Sequence, residues 1–387
     1  MKENRSLPIM LLGLAALGTI LSNTASVLAS ESKGEPTPAE STTVAAGSGS
    51  ATMTLDVVVT DKSGAPVAGL QPEDFKLLDN KQPVSLASVR ETRGFGPHAD
   101  PPVEVFLVID AINVRFLARA NQRQWLMDFL KENGKELPLP TSLLVLTDNG
   151  IEEQNRPTRD GNDLLRVLDA GYAGFRQIHG HEGLQGALLR EEDSLKALNV
   201  FAVQQSKRPG RKLFIWLGAG WGVASNPTWT GGPKKLQRIY DYIALLSTSL
   251  REARMTLYEV IPASGVGRGD IYKTYVKGVY DPKHADLGDL SLPVLATQSG
   301  GQVLIGSSDL PTLIDRCIAD ARTYYRLTFN PPPAARFSEY HAIQVQLGKP
   351  GLRARTRFGY YTAPAQNDQP PVAISLQEPA PVSGSHP

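Results

Sequence analysis

The sequence predicts an α/β fold in which a doubly wound, mostly parallel sheet is inserted in a small β-sandwich formed by N- and C-terminal strands. Between residues 102 and 322, apolar strand-like runs alternate with helical patterns, which is typical of a parallel sheet covered by helices. On either side, residues 54–92 and 323–363 show the period-two alternation of half-buried strands. Three or four such strands are barely stable alone, so we expect the two sets to pair with each other.

The first residues of the chain have the pattern of an export signal. A basic start is followed by an apolar run at residues 8–21 and by small residues that end at Ala29. This pattern predicts a signal peptide at residues 1–29, with cleavage after Ala29 and export to the periplasm or the extracellular space. The alternative is an uncleaved anchor, although the run is short for a membrane span, and after cleavage we expect no membrane span.

Composition bounds the remaining possibilities. Lys and Arg total 40 against 39 for Asp and Glu, so the formal charge of +1 gives no reason to expect a nucleic-acid partner. The single cysteine, Cys317, excludes an intrachain disulfide and is predicted to be a small buried hydrophobe on a helix.

Residues 30–53 are rich in Ser, Thr, Gly, Ala and Pro and are predicted to be a disordered linker. Residues 364–387 are Pro-rich and are predicted to be a disordered tail.

The first β module is predicted at residues 54–92. Leu55, Val57 and Val59 alternate with more polar residues and predict a strand. A turn with glycine at position 64 follows it. Further short strands are predicted at residues 67–70 and 75–78.

The α/β domain is predicted at residues 102–322. The run at 102–110 predicts a buried strand that ends on Asp110, and residues 141–147 predict a second strand. Asp148-Asn149-Gly150 predicts a hairpin to an antiparallel edge strand. The other predicted elements are helices at 116–130, 161–168, 184–205, 236–253, 292–298 and 311–321, and strands at 212–217, 255–261 and 303–305.

The second β module, at residues 323–363, contains three alternating runs. The last of them places Arg353, Arg355 and Arg357 on one predicted strand face. Such a face could hold an anionic polymer, although charges on an exposed strand face are usually only solvated.

Five segments together resemble a known family. They are VVVTDKSGAPVAGLQPEDFKLLDNKQPVSL, PVEVFLVIDAIN, RPGRKLFIWLGAGWG, LATQSGGQ and YYRLTFNPPP with the downstream HAIQVQLGKPGLRARTRFGYY. In order and spacing they resemble von Willebrand factor type A (vWA) domains, and in particular the secreted vWFA-related proteins of the acidobacterial type. The resemblance implies a Rossmann-like vWA fold, export, and a role in protein interaction or assembly rather than catalysis.

The resemblance also implies a metal site at the strand ends, built from an Asp-x-Ser-x-Ser loop, a Thr from a second loop and an Asp from a third. Asp110 matches the first Asp, but Ile112 and Val114 stand in place of the two serines. Gly218-Ala219-Gly220 occupies the place of the third-loop Asp, and the second-loop Thr is absent. Because Mg²⁺ and Ca²⁺ need several oxygen ligands, we expect a degenerate site without a cofactor. Asp110 then caps the next helix or bonds neighbouring loops.

The loops at this edge also offer a candidate protein-binding face. Its members are Asp110, Asn113, Gly218 and Trp221. An exposed Trp221 would suit a contact surface because tryptophan is enriched in interface hot spots. The alternative is that the indole packs over the edge of the sheet. The sequence thus predicts an exported, non-enzymatic interaction protein with an unknown protein partner.

Two other functions remain open at this point. His179, His181 and Glu182 form a loop that could serve a metal-dependent hydrolase, although His-x-His alone is a weak zinc signal. A structural envelope component that assembles through the edges of its β-sandwich is the other alternative. No G-x-S-x-G elbow is present to indicate a serine hydrolase.

Overall fold

Strands and helices alternate along most of the chain. The computed structural model describes residues 52–95, 102–114, 116–132, 136–171, 183–222, 232–261, 270–306 and 309–362. The strands are β1 (Met53–Thr60), β2 (Phe75–Asp79), β3 (Gln82–Val84), β4 (Leu86–Thr92), β5 (Val103–Asp110), β6 (Glu136–Thr147), β7 (Gly150–Glu153), β8 (Thr158–Asp160), β9 (Arg211–Leu217), β10 (Met255–Ile261), β11 (Val303–Ile305), β12 (Tyr324–Phe329), β13 (Tyr340–Leu347), β14 (Arg353–Arg355) and β15 (Gly359–Tyr361). The helices are α1 (Phe116–Glu132), α2 (Gly161–Gly171), α3 (Gly183–Ser206), α4 (Pro233–Glu252), α5 (Leu292–Gln298) and α6 (Leu310–Ala319).

The largest sheet has the order β11-β10-β9-β5-β6-β7, with β8 paired to β6. Strand β5 is parallel to both of its neighbours, β6 and β9, and only β7 and β8 pair antiparallel. The chain therefore moves outward from β5 through β6 to β7. It then returns to the other side of β5 and moves outward again through β9, β10 and β11.

Helices cover both faces of this sheet because its central strand is apolar on both sides. Phe106 and Val108 pack into a core with helices α3, α4 and α5. The alternate residues Val105, Leu107 and Ile109 pack into a second core with α1, α2 and α6. A strand buried on both faces reads as a continuous apolar run, as this one does. The mixed α/β fold with a helix-flanked parallel sheet is thereby confirmed, and it is consistent with a vWA-like fold.

Two four-stranded sheets stand outside the parallel sheet, in the orders β14-β1-β12-β4 and β15-β13-β2-β3. Each combines strands from before and after the α/β region. Leu55 and Leu327 from the first sheet share a core with Leu77 and Ile343 from the second. Val58, on the other face of β1, packs instead into a core of the α/β region.

The entry and the exit of the α/β region lie side by side. Strand β4 leads into the region and pairs antiparallel with β12, which follows it, so that Thr92 lies opposite Tyr324. The amide of Gly94 then donates to the carbonyl of Ala321 at 2.9 Å. The same close approach leaves no room for a side chain at Gly94.

Paired charges join the β-strands to the α/β region. The Arg254 guanidinium holds both carboxylate oxygens of Asp56, at 2.6 and 2.9 Å. The Asp320 carboxylate accepts from Arg355 at 2.5 Å and from the Tyr258 hydroxyl at 2.7 Å. Bidentate and charge-assisted bonds of this kind fix orientation as well as adding energy.

Two expectations are wrong. The predicted strand at residues 67–70 is absent, because Gly69 has a φ of 79° and the amide of Leu70 donates to the Tyr325 hydroxyl instead of a neighbouring strand. The expectation that the face with Arg353, Arg355 and Arg357 is only solvated is also wrong, because Arg355 donates to Asp320 and to the Gly300 carbonyl.

Several predicted segments fall outside the described residues. The predicted signal peptide (1–29) and tail (364–387) lie there entirely, as does nearly all of the predicted linker (30–53). Within the described ranges, no helix has both the length and the apolar content that crossing a membrane requires.

The junction at Gly94 gives a testable prediction. A Cβ on Gly94 would stand 2.5 Å from the Ala321 oxygen and 2.9 Å from a Val103 methyl group. We expect Gly94→Ala to lower the free energy of unfolding by about 1–3 kcal/mol, because backbone must move to admit the methyl group. Urea unfolding measures this. The control is Gly348→Ala, where the nearest atoms are 3.9 Å away, and equal effects at both positions would contradict the prediction.

Candidate functional site

The carboxyl edge of the parallel sheet has one position where neighbouring loops separate. After β5 the chain turns toward β6, and after β9 it turns the opposite way toward β10. Open α/β sheets bind ligands in the crevice at such a switch point. The loops at residues 111–114 and 218–222 therefore frame the candidate site.

Asp110 ends β5 at this point and is completely buried. Its Oδ1 accepts from the amides of Ile112 and Asn113, at 2.9 and 2.8 Å. Its Oδ2 accepts from Asn113 Nδ2 at 3.0 Å and from Trp216 Nε1 at 3.2 Å. Four protein donors thus engage both oxygens, and the carboxylate holds the turn after β5 in shape.

Opposing effects act on the acidity of this group. Burial raises the pKa of the Asp110 carboxyl above its ordinary value, and this is the larger effect. The bonds from Asn113, Ile112 and Trp216 favour the charged form and offset part of the rise in pKa.

Gly218, the first residue after β9, is required by its conformation and its surroundings. Its φ is 112°, and an added Cβ would lie 2.4 Å from the Nε2 of Gln122. That Nε2 donates to the carbonyl of Leu217, while the Gly218 amide donates to Val260 at 2.8 Å. Gly218 therefore lies at the predicted edge, in a tightly packed turn.

Trp221 is not an exposed contact residue. The side chain is only 3% exposed, its Nε1 donates to the Leu290 carbonyl at 2.8 Å, and its ring meets Trp216 edge-on at 5.2 Å. A buried indole needs an acceptor for its N–H, and the short helix Leu287–Leu290 supplies one. The prediction that Trp221 belongs to an exposed face is wrong, and the alternative of packing over the sheet edge describes it.

The edge does not fit a hard divalent cation. Asp110 is engaged by protein donors, and the Asn113 amide donates to Asp110 and to Ser194 Oγ, the latter at 2.9 Å. Ile112 and Val114 carry no oxygen ligand. Within the ranges that the structure describes, no group of three His, Cys, Asp or Glu side chains could hold a metal ion. Mg²⁺ and Ca²⁺ need more oxygen ligands than this edge offers.

Glu191 is a buried acid that the sequence does not single out. It lies on α3, one turn before Ser194, and is only 3% exposed. Its Oε1 has no hydrogen-bond partner. Burial, and secondarily the charge of Asp286, raise the pKa of Glu191 to about 8. Consecutive glutamates on a helix normally indicate a solvated face, so no sequence signal marks this one.

The residues of the hydrolase alternative, His179, His181 and Glu182, lie outside the described residues.

Asp110→Asn tests how far the edge depends on the carboxylate. An asparagine keeps one acceptor oxygen, but its NH₂ group would confront the N–H donors of Asn113 and Trp216. We expect the free energy of unfolding to fall by about 1–3 kcal/mol, since buried polar groups lose their partners. Chemical denaturation measures the change. The control Asp169→Asn alters a 63% exposed carboxylate that pairs with Arg123, where the expected change is below about 1 kcal/mol.

Glu191 gives a prediction about pH. Its pKa is about 8 in the folded chain, against an ordinary value of 4.5 for a glutamate. Between these values the folded state retains a proton that the unfolded state releases, so stability falls as pH rises, by at most about 1.4 kcal/mol per pH unit. Glu191→Gln removes this dependence. Relative to the native chain, the variant should become steadily more stable from pH 4.5 to 8, and urea unfolding across that range measures the difference.

The Glu191→Gln variant must be compared with the native chain because a second buried acid also titrates in this range. Burial raises the pKa of Asp289 to about 7. That group titrates in both proteins and cancels in the difference. The exposed position Glu73 provides the control variant Glu73→Gln. Parallel stability curves for Glu191→Gln and the native chain would show that Glu191 is charged in the folded state.

No protein-family model and no curated protein matches this sequence. The solved structures that match include one titled "Crystal Structure of the SpRpn10 VWA domain". Its sequence identity is 9% and its TM-score is 0.26, and the match covers 55% of this chain and 94% of that chain. A structural neighbour of this chain is thus a vWA domain, while the fold described above rests on the observed strand order.

Proposed function

We propose that this protein is an exported, non-enzymatic interaction or assembly protein of the vWA type, whose binding edge works without a metal ion. The observation that carries the proposal is the position and state of Asp110. It lies at the switch point of the sheet, where such folds bind ligands, yet four protein donors engage its carboxylate. Export is supported by the sequence of residues 1–29.

The reactive side chains of the described residues support binding rather than catalysis. Cys317 is fully buried, and burial raises the pKa of its thiol well above the ordinary value, which disfavours the nucleophilic thiolate. His341 Nδ1 lies 2.8 Å from Asp79 Oδ1, but both side chains are buried in the β-sandwich. The Tyr360 hydroxyl donates to the other Asp79 oxygen, at 2.6 Å. This His–Asp–Tyr group joins strands β13, β2 and β15 and has the contacts of a structural element.

Among the residues that the structure describes, the accessible part of the edge is uncharged. Asn113, Val114, Ala219 and Gly222 are half-buried there. A surface of small side chains and backbone suits close contact with another protein chain. Contact through backbone and apolar groups also does not require an ion to complete it.

The proposal is tested by capture of partners from envelope extracts with the full-length chain as bait. We expect the captured proteins to be the same with and without EDTA, because the edge supplies no cation site. Ala219→Arg places a bulky charge on the edge and should abolish capture while leaving thermal unfolding unchanged.

The matched control is Ala87→Arg, at an exposed position on the edge strand β4 of the sandwich. This variant should retain the partners. Release of the partner by EDTA would contradict metal-independent binding. Loss of the partner in Ala87→Arg but not in Ala219→Arg would indicate that the partner binds the sandwich and not the carboxyl edge.

A further inference from the structure

A wide cleft lies between the β-sandwich strands and helix α6. Its volume is about 1300 Å³. The turn at residues 61–66, the end of α6, and the strands β13 and β14 line it. This site is independent of the proposed binding edge.

The cleft has a strong excess of positive charge. Six cationic side chains and two acidic ones line it, namely Lys62, Arg316, Arg322, Arg353, Arg355 and Arg357, with Asp61 and Asp320. The Asp320 carboxylate is engaged by Arg355 and Tyr258. Asp61 Oδ1 is engaged within its own turn by Ser63 and Ala65. The acids therefore leave most of the positive charge without a counter-charge.

Arg357 is the most informative of these side chains. It is half-buried in the wall of the cleft, and the acid that acts on its charge, Asp56, is already held by Arg254. Burial, with a further contribution from the nearby Arg251, lowers the pKa of Arg357 to about 10, so it is still charged at neutral pH. Holding a charged group partly away from water is unfavourable, and an anion in the cleft would offset that cost.

The cations come from separate parts of the chain. Lys62 lies in the turn after β1, Arg316 on α6, and Arg353 on β14. All three are exposed. Like charges gathered on one concave surface repel one another, and such a surface concentrates anions.

We infer that this cleft binds a linear anion made of consecutive phosphoryl groups, such as a polyphosphate chain. Five of the six cations are arginines, of which Arg355 already holds Asp320. The planar fork of the other four matches phosphate oxygens in a bidentate manner. A tetrahedral phosphoryl group presents oxygens in several directions and can meet arginines from different elements, whereas one planar carboxylate matches one fork. The concave shape admits a flexible chain, and a flat bilayer surface cannot follow it.

The test is calorimetric titration of the full-length chain with inorganic tripolyphosphate, beside a hexaglutamate peptide as the carboxylate comparator. We expect one tripolyphosphate per chain, with affinity that falls as salt rises. Hexaglutamate should bind at least about tenfold more weakly, because it cannot bridge arginines in the same way.

Variants assign the binding to the cleft. Arg316→Gln with Arg353→Gln removes two exposed cations and should weaken tripolyphosphate binding by about tenfold or more, with an unchanged urea midpoint. Arg357→Gln should weaken it as well. Arg93→Gln, at a 74% exposed position outside the cleft lining, should leave binding unchanged.

Three results would overturn the inference. They are the absence of tripolyphosphate binding to the native chain, binding that the double variant does not weaken, and equal affinity for hexaglutamate, which would make the cleft a site for acidic peptides.

Discussion

The antiparallel pairing of β4 with β12 is the constraint on which the rest of the structure depends. These strands flank the whole α/β region in sequence, yet Thr92 lies opposite Tyr324. The region must therefore fold so that its two ends return to the same point, where Gly94 bonds to Ala321. Neither set of flanking strands forms a complete sheet without the other. Pairing at such sequence separation carries a loop-closure cost, which the α/β region meets by bringing its own ends together.

Buried charges then set how the strands meet the α/β region. Arg254 follows the end of α4 with a φ of 51°, a conformation in which glycine is the usual residue after a helix. An arginine there is explained by its side chain, which holds Asp56 of β1 with two short bonds. A glycine would relieve the backbone and leave Asp56 without this partner. The backbone at Arg254 is therefore strained, and the ion pair that its side chain forms with Asp56 fixes the orientation of β1 against the α/β region.

The elements that the sequence predicts best are those whose pattern depends on local chemistry. The apolar run of β5 and the Asp148-Asn149-Gly150 turn before β7 follow from burial on two faces and from turn preference. The absence of oxygen ligands at positions 112 and 114, beside Asp110, is also visible in the sequence. The burial of Trp221 is not, because its acceptor is the Leu290 carbonyl, 69 residues away. Likewise, only the packing around α3 distinguishes the buried Glu191 from a surface glutamate.

The two candidate ligand sites differ in whether their polar groups already have partners within the protein. At the carboxyl edge, both carboxylate oxygens of Asp110 accept hydrogen bonds from protein donors. In the basic cleft, Arg357 has a half-buried charge, and the acid that acts on it, Asp56, is already held by Arg254. A group that folding already satisfies gains little from a ligand, whereas a partly desolvated charge gains a strong interaction on binding. This contrast supports the two separate proposals, a neutral, close-packed contact with a protein at the edge and an anion in the cleft.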